Sequence, residues 1–348
     1  MMRKVAWVPA LVGLALVGCG GAEGRPPVTP ADPAPSSEPA GDPPAAKAGS
    51  LDGPAASSTS GDVNRGVAAM KAGDLAGARA AFEAAVGRNP KQADAHFYLG
   101  FVMDKAGDRA AAEKHYKAAL ELQPDLHEAA GNLTALYVEA EKYSEAVAVA
   151  KRSLDKHAKN AELLLNYGIA LGRSGDQTAA ARAFDDAVKL APNDARFYLV
   201  YAQELAAWKQ RDQAVEKLKQ AARVAGDDPA MVGSIGFELR TLRAVPECLS
   251  AFDRAIALKD NADFRTNRAL CKLAAKDKAG AVSDLEAAVK NEPDFPVAHY
   301  WLAWAHHEDG KYAEAIKEYE AYLKLAPSGP MAKAADAKIK LARAKKKK

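Results

Sequence analysis

Large side chains, with one alanine among them, recur along this chain at an interval of 34 residues, with a single interval of 33. They are Phe82, Tyr116, Ala150, Phe184, Leu218, Phe252, Leu285 and Tyr319. A small residue lies four positions before each of them, which places both on one face of a helix. A unit of this length cannot bury its apolar face alone, so the period predicts an all-α array of stacked repeats.

A second series of small residues predicts that each repeat is a pair of helices. The series is Gly66, Gly100, Thr134, Gly168, Ala202, Gly236, Ala269 and Ala303. Small side chains allow two helix backbones to approach closely while the large residues interlock. Turn signals such as Gly107-Asp108 lie between the two series, and a proline such as Pro124 follows several second helices. The predicted unit is therefore helix-turn-helix.

One segment carries a full set of landmarks in sequence order. These are Leu99-Gly100, Ala112, Tyr116, Ala119 and Pro124. They resemble the tetratricopeptide repeat, whose signature is a Leu-Gly step, then Ala-x-x-x-Phe, then Pro. The resemblance implies an α-α superhelix, a solenoid of about eight helix-turn-helix repeats over residues 61–327. Residues 328–348 are expected to form a C-terminal capping helix and a basic tail.

Three repeats depart from the pattern at their ends. The third, fifth and sixth repeats replace the closing proline by Ala158, Gly226 and Asp260. This predicts that the turns after these repeats are less well defined.

Residues 1–18 resemble a bacterial lipoprotein signal peptide. Arg3 and Lys4 precede an apolar stretch that is too short to span a bilayer as a permanent helix. Leu-Val-Gly-Cys at residues 16–19 resembles a lipobox, which implies that Cys19 becomes the lipidated first residue of the mature chain. The alternative is an ordinary secretory signal with an incidental cysteine. Residues 19–60 are rich in Pro, Ala, Gly and Ser, and they predict a disordered tether after the lipid anchor.

The resemblance also implies a concave groove lined by the first helices of successive repeats. The apolar groove candidates are Phe97, Phe101, Ile169, Phe237, Tyr300 and Trp304, and four repeats place an asparagine beside these positions, at Asn64, Asn132, Asn166 and Asn267. In similar proteins such an amide, being both donor and acceptor, hydrogen-bonds the backbone of an extended peptide. Two alternatives remain open: the asparagines serve local packing, and the apolar residues are core between adjacent helices.

Charge and motifs argue against several other function classes. Residues 61–344 carry no net charge, so the chain lacks the basic footprint of a nucleic-acid-binding protein. It has no glycine-rich phosphate loop, nucleophile elbow or metalloprotease histidine pair, which predicts that it is not an enzyme and needs no cofactor. His306 and His307 are adjacent on a helix, face different directions and are not expected to bind metal.

The cysteines fit no metal or disulfide framework. With three cysteines in 348 residues, the chain is not a disulfide scaffold, and Cys248 and Cys271 are expected to be buried packing residues.

Together these features predict a non-enzymatic adaptor. It would be anchored through Cys19 in the bacterial envelope and would hold other envelope proteins or peptides in its groove. Gly20, rather than Asp, follows Cys19, which in similar lipoproteins indicates the outer membrane, here with the protein facing the periplasm. The alternative is a self-assembling structural spacer whose groove is filled by a neighbouring copy.

Overall fold

The computed structural model describes residues 61–156 and 159–346, and within these ranges helices and short connections account for the whole chain, with no β-strand. This confirms the predicted all-α class built of helix-turn-helix repeats. The predicted signal peptide, Cys19 and the predicted tether lie outside the described residues. The described part divides into two compact units, the first ending at Lys217 and the second beginning at Leu218.

The first unit consists of hairpins in which odd-numbered helices are the first members and even-numbered helices the second members. Its helices are α1 Gly61–Lys71, α2 Leu75–Arg88, α3 Ala93–Lys105, α4 Arg109–Leu122, α5 His127–Glu139, α6 Tyr143–Leu154, α7 Ala161–Arg173, α8 Gln177–Leu190 and α9 Ala195–Ala207. Helix α10, Arg211–Val224, contains the boundary between the units.

The second unit continues the same alternation and ends with one additional helix. Its helices are α11 Pro229–Thr241, α12 Val245–Leu258, α13 Ala262–Ala274, α14 Lys278–Asn291, α15 Pro296–Glu308, α16 Tyr312–Leu325 and α17 Ala332–Lys346. Helix α17 packs against α16 and buries Ala335, Ile339 and Ala342. It therefore covers the apolar side of the last hairpin, as expected of a capping helix.

Several hairpins are held together where a glycine on the first helix meets a large aromatic side chain on the second. A Cβ added to Gly100 would lie 2.9 Å from Cδ1 of Tyr116, and one added to Gly168 would lie 2.8 Å from Cε1 of Phe184. Both rings are fully buried. The two periodic series of the sequence are thus the two sides of a single packing contact.

We expect Gly100→Ala to lower the free energy of unfolding by about 1–3 kcal/mol, because the new methyl group overpacks the contact with Tyr116. Gly131→Ala on α5 is the matched control. An added Cβ there meets no heavy atom within 4 Å, so alanine should stabilise the helix by about 0.5–1 kcal/mol. Urea denaturation of the full chain measures both. Equal effects of the two substitutions would contradict the close approach of these helices.

The turns inside the hairpins follow from glycine and aspartate at fixed positions. Gly107 has φ 81°, a left-handed conformation that glycine adopts without steric cost. The next residue, Asp108, caps α4, because its Oδ1 accepts a hydrogen bond of 3.1 Å from the Ala111 amide. Gly73 and Asp74 repeat this arrangement before α2. The backbone reversal and the start of the second helix are therefore encoded locally.

Two of the three turns that lack a closing proline are held by arginine. Arg254 donates a hydrogen bond of 2.7 Å to the carbonyl oxygen of Ala222 and another to that of Gly226. Arg265 donates two bonds of 2.6 Å to the carboxylate of Asp260. The turn that contains Ala158 lies outside the described residues. The expectation of poorly defined turns is therefore wrong for the fifth and sixth repeats, because side chains take over the role of the proline.

The structure also corrects the interpretation of the two downstream cysteines. Cys248 on α12 and Cys271 on α13 are buried, as expected, but they form a disulfide, with their Cα atoms 6.3 Å apart. The separation lies within the usual range for this bond. The residues are 23 positions apart and belong to different hairpins, so neither their spacing nor the packing slot of Cys248 indicated the pairing.

Candidate peptide-binding face

The four asparagines of the predicted groove lie on first helices but in different environments. In the first unit Asn64 is exposed, whereas Asn132 and Asn166 are buried. In the second unit Asn267 is buried. The four asparagines therefore do not present equivalent amides to solvent.

Two of the buried asparagines have partners within the protein. Asn132 donates from Nδ2 to the hydroxyl oxygen of Tyr116 over 3.2 Å. Asn267 donates from Nδ2 to the carbonyl oxygen and to Oδ1 of Asp263, both over 3.0 Å. These bonds agree with the local-packing alternative for both residues.

Asn166 differs from them. Its Oδ1 is buried, and within residues 61–156 and 159–346 it accepts no hydrogen bond. A buried amide oxygen without a donor destabilises the protein by about 1–3 kcal/mol. Among the four asparagines, Asn166 is thus the one whose side chain retains an unused acceptor.

The apolar candidates divide into buried and partly exposed residues. Phe97, Phe101 and Tyr300 are at most 5% exposed. The Phe97 ring lies 6.3 Å from the Tyr116 ring, and Tyr300 makes edge contacts at 5.5 Å with Tyr319. The core-packing alternative describes the positions of these three residues, because a ligand cannot touch side chains that are covered by neighbouring helices.

Ile169, Phe237 and Trp304 are half-buried and keep part of their surface open. Phe237 lies under the guanidinium of Arg240, 4.8 Å from ring centroid to Cζ, and Trp304 packs edge-on against Trp301 at 5.9 Å. Ile169 is on α7, three residues after Asn166 and hence on the same side of that helix. In the first unit Ile169 therefore keeps part of its apolar surface open beside the buried amide of Asn166.

A cleft of about 450 Å³ opens in the first unit near the start of α7. Glu162 on α7 and Arg196 on α9 form an ion pair of 3.0 Å at this cleft, and Arg196 also contacts Asp194 over 2.5 Å. Phe197 contributes an apolar wall. The sequence pattern did not single out this cleft. The sequence feature that could have indicated it is an acidic residue in the first turn of three consecutive first helices, at Asp94, Glu128 and Glu162.

The second unit contains a buried ionisable pair. His299 Nδ1 lies 2.6 Å from Oε2 of Glu318, and Nε2 of His299 lies 2.9 Å from the carbonyl oxygen of Pro293. The hydrogen bond with Glu318 raises the pKa of His299, although burial opposes it. The same bond lowers the pKa of Glu318. The pair therefore favours the charged form of both groups.

This pair predicts a pH window for stability. The contribution of His299 is complete below pH 6.5, its ordinary pKa, and is lost as pH rises through the raised value. The contribution of Glu318 is complete above pH 4.5 and is lost as pH falls through the lowered value. The stabilisation by the pair should therefore be greatest between these two values.

We expect Glu318→Gln to reduce stability most within this window, measured by urea denaturation from pH 3.5 to 8.5. The exposed Glu314→Gln on the same helix is the control and should leave the pH profile unchanged. A Glu318→Gln loss that is independent of pH would contradict the ionised pair.

The described residues contain no group of three or more His, Cys, Asp or Glu side chains arranged to hold a metal ion. No helix among them is both long enough and apolar enough to cross a bilayer. His306 and His307 are buried near the end of α15, and the ring of His307 packs against Tyr312 at 5.5 Å.

Comparison with known sequences identifies the repeat. Residues 63–127, 135–195 and 266–330 match the tetratricopeptide repeat, and these segments cover more than half of the chain. The chain belongs to the tetratricopeptide repeat family. Proteins of this family typically act as non-enzymatic scaffolds that bind protein partners.

Curated relatives share only part of their length with this tetratricopeptide repeat protein. It is 34% identical over 86 residues to serine/threonine-protein phosphatase T of Trypanosoma brucei brucei, covering 25% of this chain and 18% of that protein. It is 32% identical over 135 residues to protein FlbA of Caulobacter vibrioides, covering 38% and 22%. The chain thus spans about a fifth of the length of these relatives.

Solved structures resemble the fold at low sequence identity. A tetratricopeptide repeat protein from Parabacteroides merdae aligns with a TM-score of 0.50 at 17% identity, over 70% of this chain and 97% of that one. Yeast Tom70 aligns with a TM-score of 0.51 at 17% identity, over 86% of this chain and 68% of that one. These similarities support the fold and carry no information about a specific ligand.

Proposed function

We propose that the protein is a lipid-anchored scaffold of the bacterial cell envelope that binds protein partners or extended peptides along its first helices. The observation that carries the proposal is the buried, unpaired Oδ1 of Asn166 on α7, three residues from the partly open side chain of Ile169. Because Oδ1 is covered in the structure, the Asn166 side chain would rotate towards the open surface beside Ile169, where a backbone amide of a bound peptide would supply the missing donor. Ile169 would contribute apolar contact beside it.

The location of the protein is a separate part of the proposal. Lipidation of Cys19 would fasten the chain to the membrane, and Gly20 after it favours the outer membrane with the repeats facing the periplasm. The disulfide between Cys248 and Cys271 supports an oxidising compartment, because such bonds are rare in the bacterial cytosol. Labelling with a radioactive fatty acid tests the anchor: the wild-type chain should incorporate it and Cys19→Ser should not.

Binding is tested by a photo-reactive amino acid placed at Ile169 in cells that produce the full chain. We expect crosslinks to other envelope proteins, and we expect Asn166→Ala to reduce them strongly without loss of stability, because the substitution removes an unsatisfied oxygen. Asn132→Ala is the control. It removes a bond to Tyr116 and should cost about 1 kcal/mol without affecting the crosslinks.

The outcomes separate the proposed function from its alternative. Crosslinks exclusively to a second copy of the chain would favour the self-assembling spacer. Crosslinks to other proteins that persist unchanged in Asn166→Ala would contradict the role of Asn166. A photo-reactive residue at the exposed Leu190, on a second helix, reports the background of random encounters.

A further inference from the structure

Two histidines of the second hairpin face each other across their helices. His96 on α3 and His115 on α4 have their Nδ1 atoms 3.0 Å apart. His96 is buried, whereas His115 is half-buried and keeps a route to solvent. Their rings lie 5.3 Å apart between centroids and are tilted by 31°. The pair is unrelated to the proposed peptide-binding patch on α7.

The tautomer of His96 follows from its hydrogen-bond partners. Its Nε2 lies 3.0 Å from the carbonyl oxygen of Pro90. A carbonyl oxygen only accepts hydrogen bonds, so Nε2 donates to it and the corresponding tautomer presents the lone pair of Nδ1 towards His115. Histidines that bind metals are usually oriented in the same way, with the second ring nitrogen donating to a carbonyl or carboxylate oxygen.

The matching positions in the second unit hold opposite charges instead. There His299 faces Glu318 at 2.6 Å, and Arg265 faces Asp284 at 3.6 Å. In both pairs a cationic side chain on the first helix meets a carboxylate on the second. The first-unit pair has the same helix positions and the same anchoring of the first histidine by a proline carbonyl, but both positions hold imidazoles, and the carboxylate that acts on His115 is that of Glu83 on α2.

The distance between the nitrogens indicates which ion would fit. Imidazole nitrogens bind divalent transition metals at about 2.0–2.1 Å. Two such bonds at a right angle separate the nitrogens by about 2.9 Å, whereas tetrahedral bonds separate them by about 3.3 Å. The observed 3.0 Å is the length of a hydrogen bond in which Nδ1 of His115 donates to Nδ1 of His96, and an ion with right-angled bonds would replace that proton with little change in the distance between the nitrogens. Square-planar or tetragonal coordination by nitrogen and oxygen is typical of Cu²⁺ and Ni²⁺.

We propose that His96 and His115 bind a Cu²⁺ ion through their two Nδ1 atoms, with water in the remaining positions. The described residues offer no third His, Cys, Asp or Glu that would complete a larger cluster, so solvent supplies the other ligands from the open side of His115. Bound metal would bridge α3 and α4 of one hairpin. The site is a feature of this chain beyond its proposed scaffold function.

The test uses the full chain without a polyhistidine tag and with Cys19→Ser, which removes a competing thiol. Cu²⁺ is titrated in the presence of glycine as a weak competing ligand and followed by electron paramagnetic resonance. We expect nitrogen couplings from two imidazoles in the wild-type pair. His115→Ala should retain one imidazole and weaken the Cu²⁺ affinity by at least about tenfold.

His299→Ala is the matched control, because His299 has the same helix position and the same carbonyl anchor but a carboxylate partner. It should leave the couplings and affinity unchanged. Circular dichroism checks folding, and His115→Gln provides a second variant that retains a polar side chain. Equal Cu²⁺ affinity in the wild type and in a folded His115 variant would overturn the proposal, as would a wild-type spectrum without two imidazole nitrogens.

Discussion

Phe184→Ala should lower the free energy of unfolding by about 3–5 kcal/mol, the loss expected for deleting a fully buried aromatic side chain. Phe184 on α8 has no exposed surface. Its ring stacks on Tyr201 with 4.8 Å between centroids and lies 6.3 Å from Trp208. It also fills the space left by Gly168 on α7. Removing the ring leaves a cavity shared by two neighbouring hairpins, which cannot collapse without moving helices.

Leu190→Ala on the same helix is the control for Phe184. Leu190 is 42% exposed, so its truncation should change stability by less than about 0.5 kcal/mol. Urea denaturation monitored by circular dichroism measures both variants. Because each repeat contacts its neighbours, the Phe184 variant should also show local loss of amide protection in α7 to α9. A loss of stability below about 1 kcal/mol would contradict the packing described here.

Removal of the disulfide is the second large expected effect. The double variant Cys248→Ala, Cys271→Ala should be less stable by about 3 kcal/mol, because the bond closes a loop with a sequence separation of 23 residues and restricts the unfolded chain. Alanine occupies the position of Cys248 in other hairpins, for example Ala281 and Ala315, and both are fully buried there. The substitution should therefore remove the bond with little change in packing.

Chemical reduction of the disulfide in the wild-type chain is the matched comparison for the double variant. Treatment of the wild-type chain should reproduce the loss seen in the double variant, and the double variant itself should not respond. Peptide mapping before and after reduction shows whether Cys248 and Cys271 are joined. Equal stability of the oxidised and reduced wild-type chain would contradict a stabilising bond between α12 and α13.

Much of the fold could be read from the sequence because its signals are local or periodic. The 34-residue interval placed small and large residues such as Gly100 and Tyr116 on opposing helices, and the structure has them in contact. Each Gly-Asp turn involves residues that are at most four positions apart, so its geometry is independent of distant parts of the chain. The cap helix was likewise predictable from its apolar spacing, including the buried Ile339.

The candidate site was less predictable. Position in the repeat identified Asn132 and Asn166 equally, yet only the structure distinguishes an amide bonded to Tyr116 from one with an unused oxygen. The same limit applies to Phe97, because helical spacing alone does not separate a groove residue from a core residue that is 1% exposed. These differences depend on the side chains of adjacent helices.

The sequence by itself determined the helix pairs, their turns and their membership in the tetratricopeptide repeat family. The tertiary structure alone decided that Cys248 is joined to Cys271 and that His96 faces His115. The physical reason is the distance along the sequence between the residues that interact. Helix formation and hairpin closure depend on residues within one repeat period, whereas pairing of particular side chains depends on how the packed helices rotate them towards or away from each other.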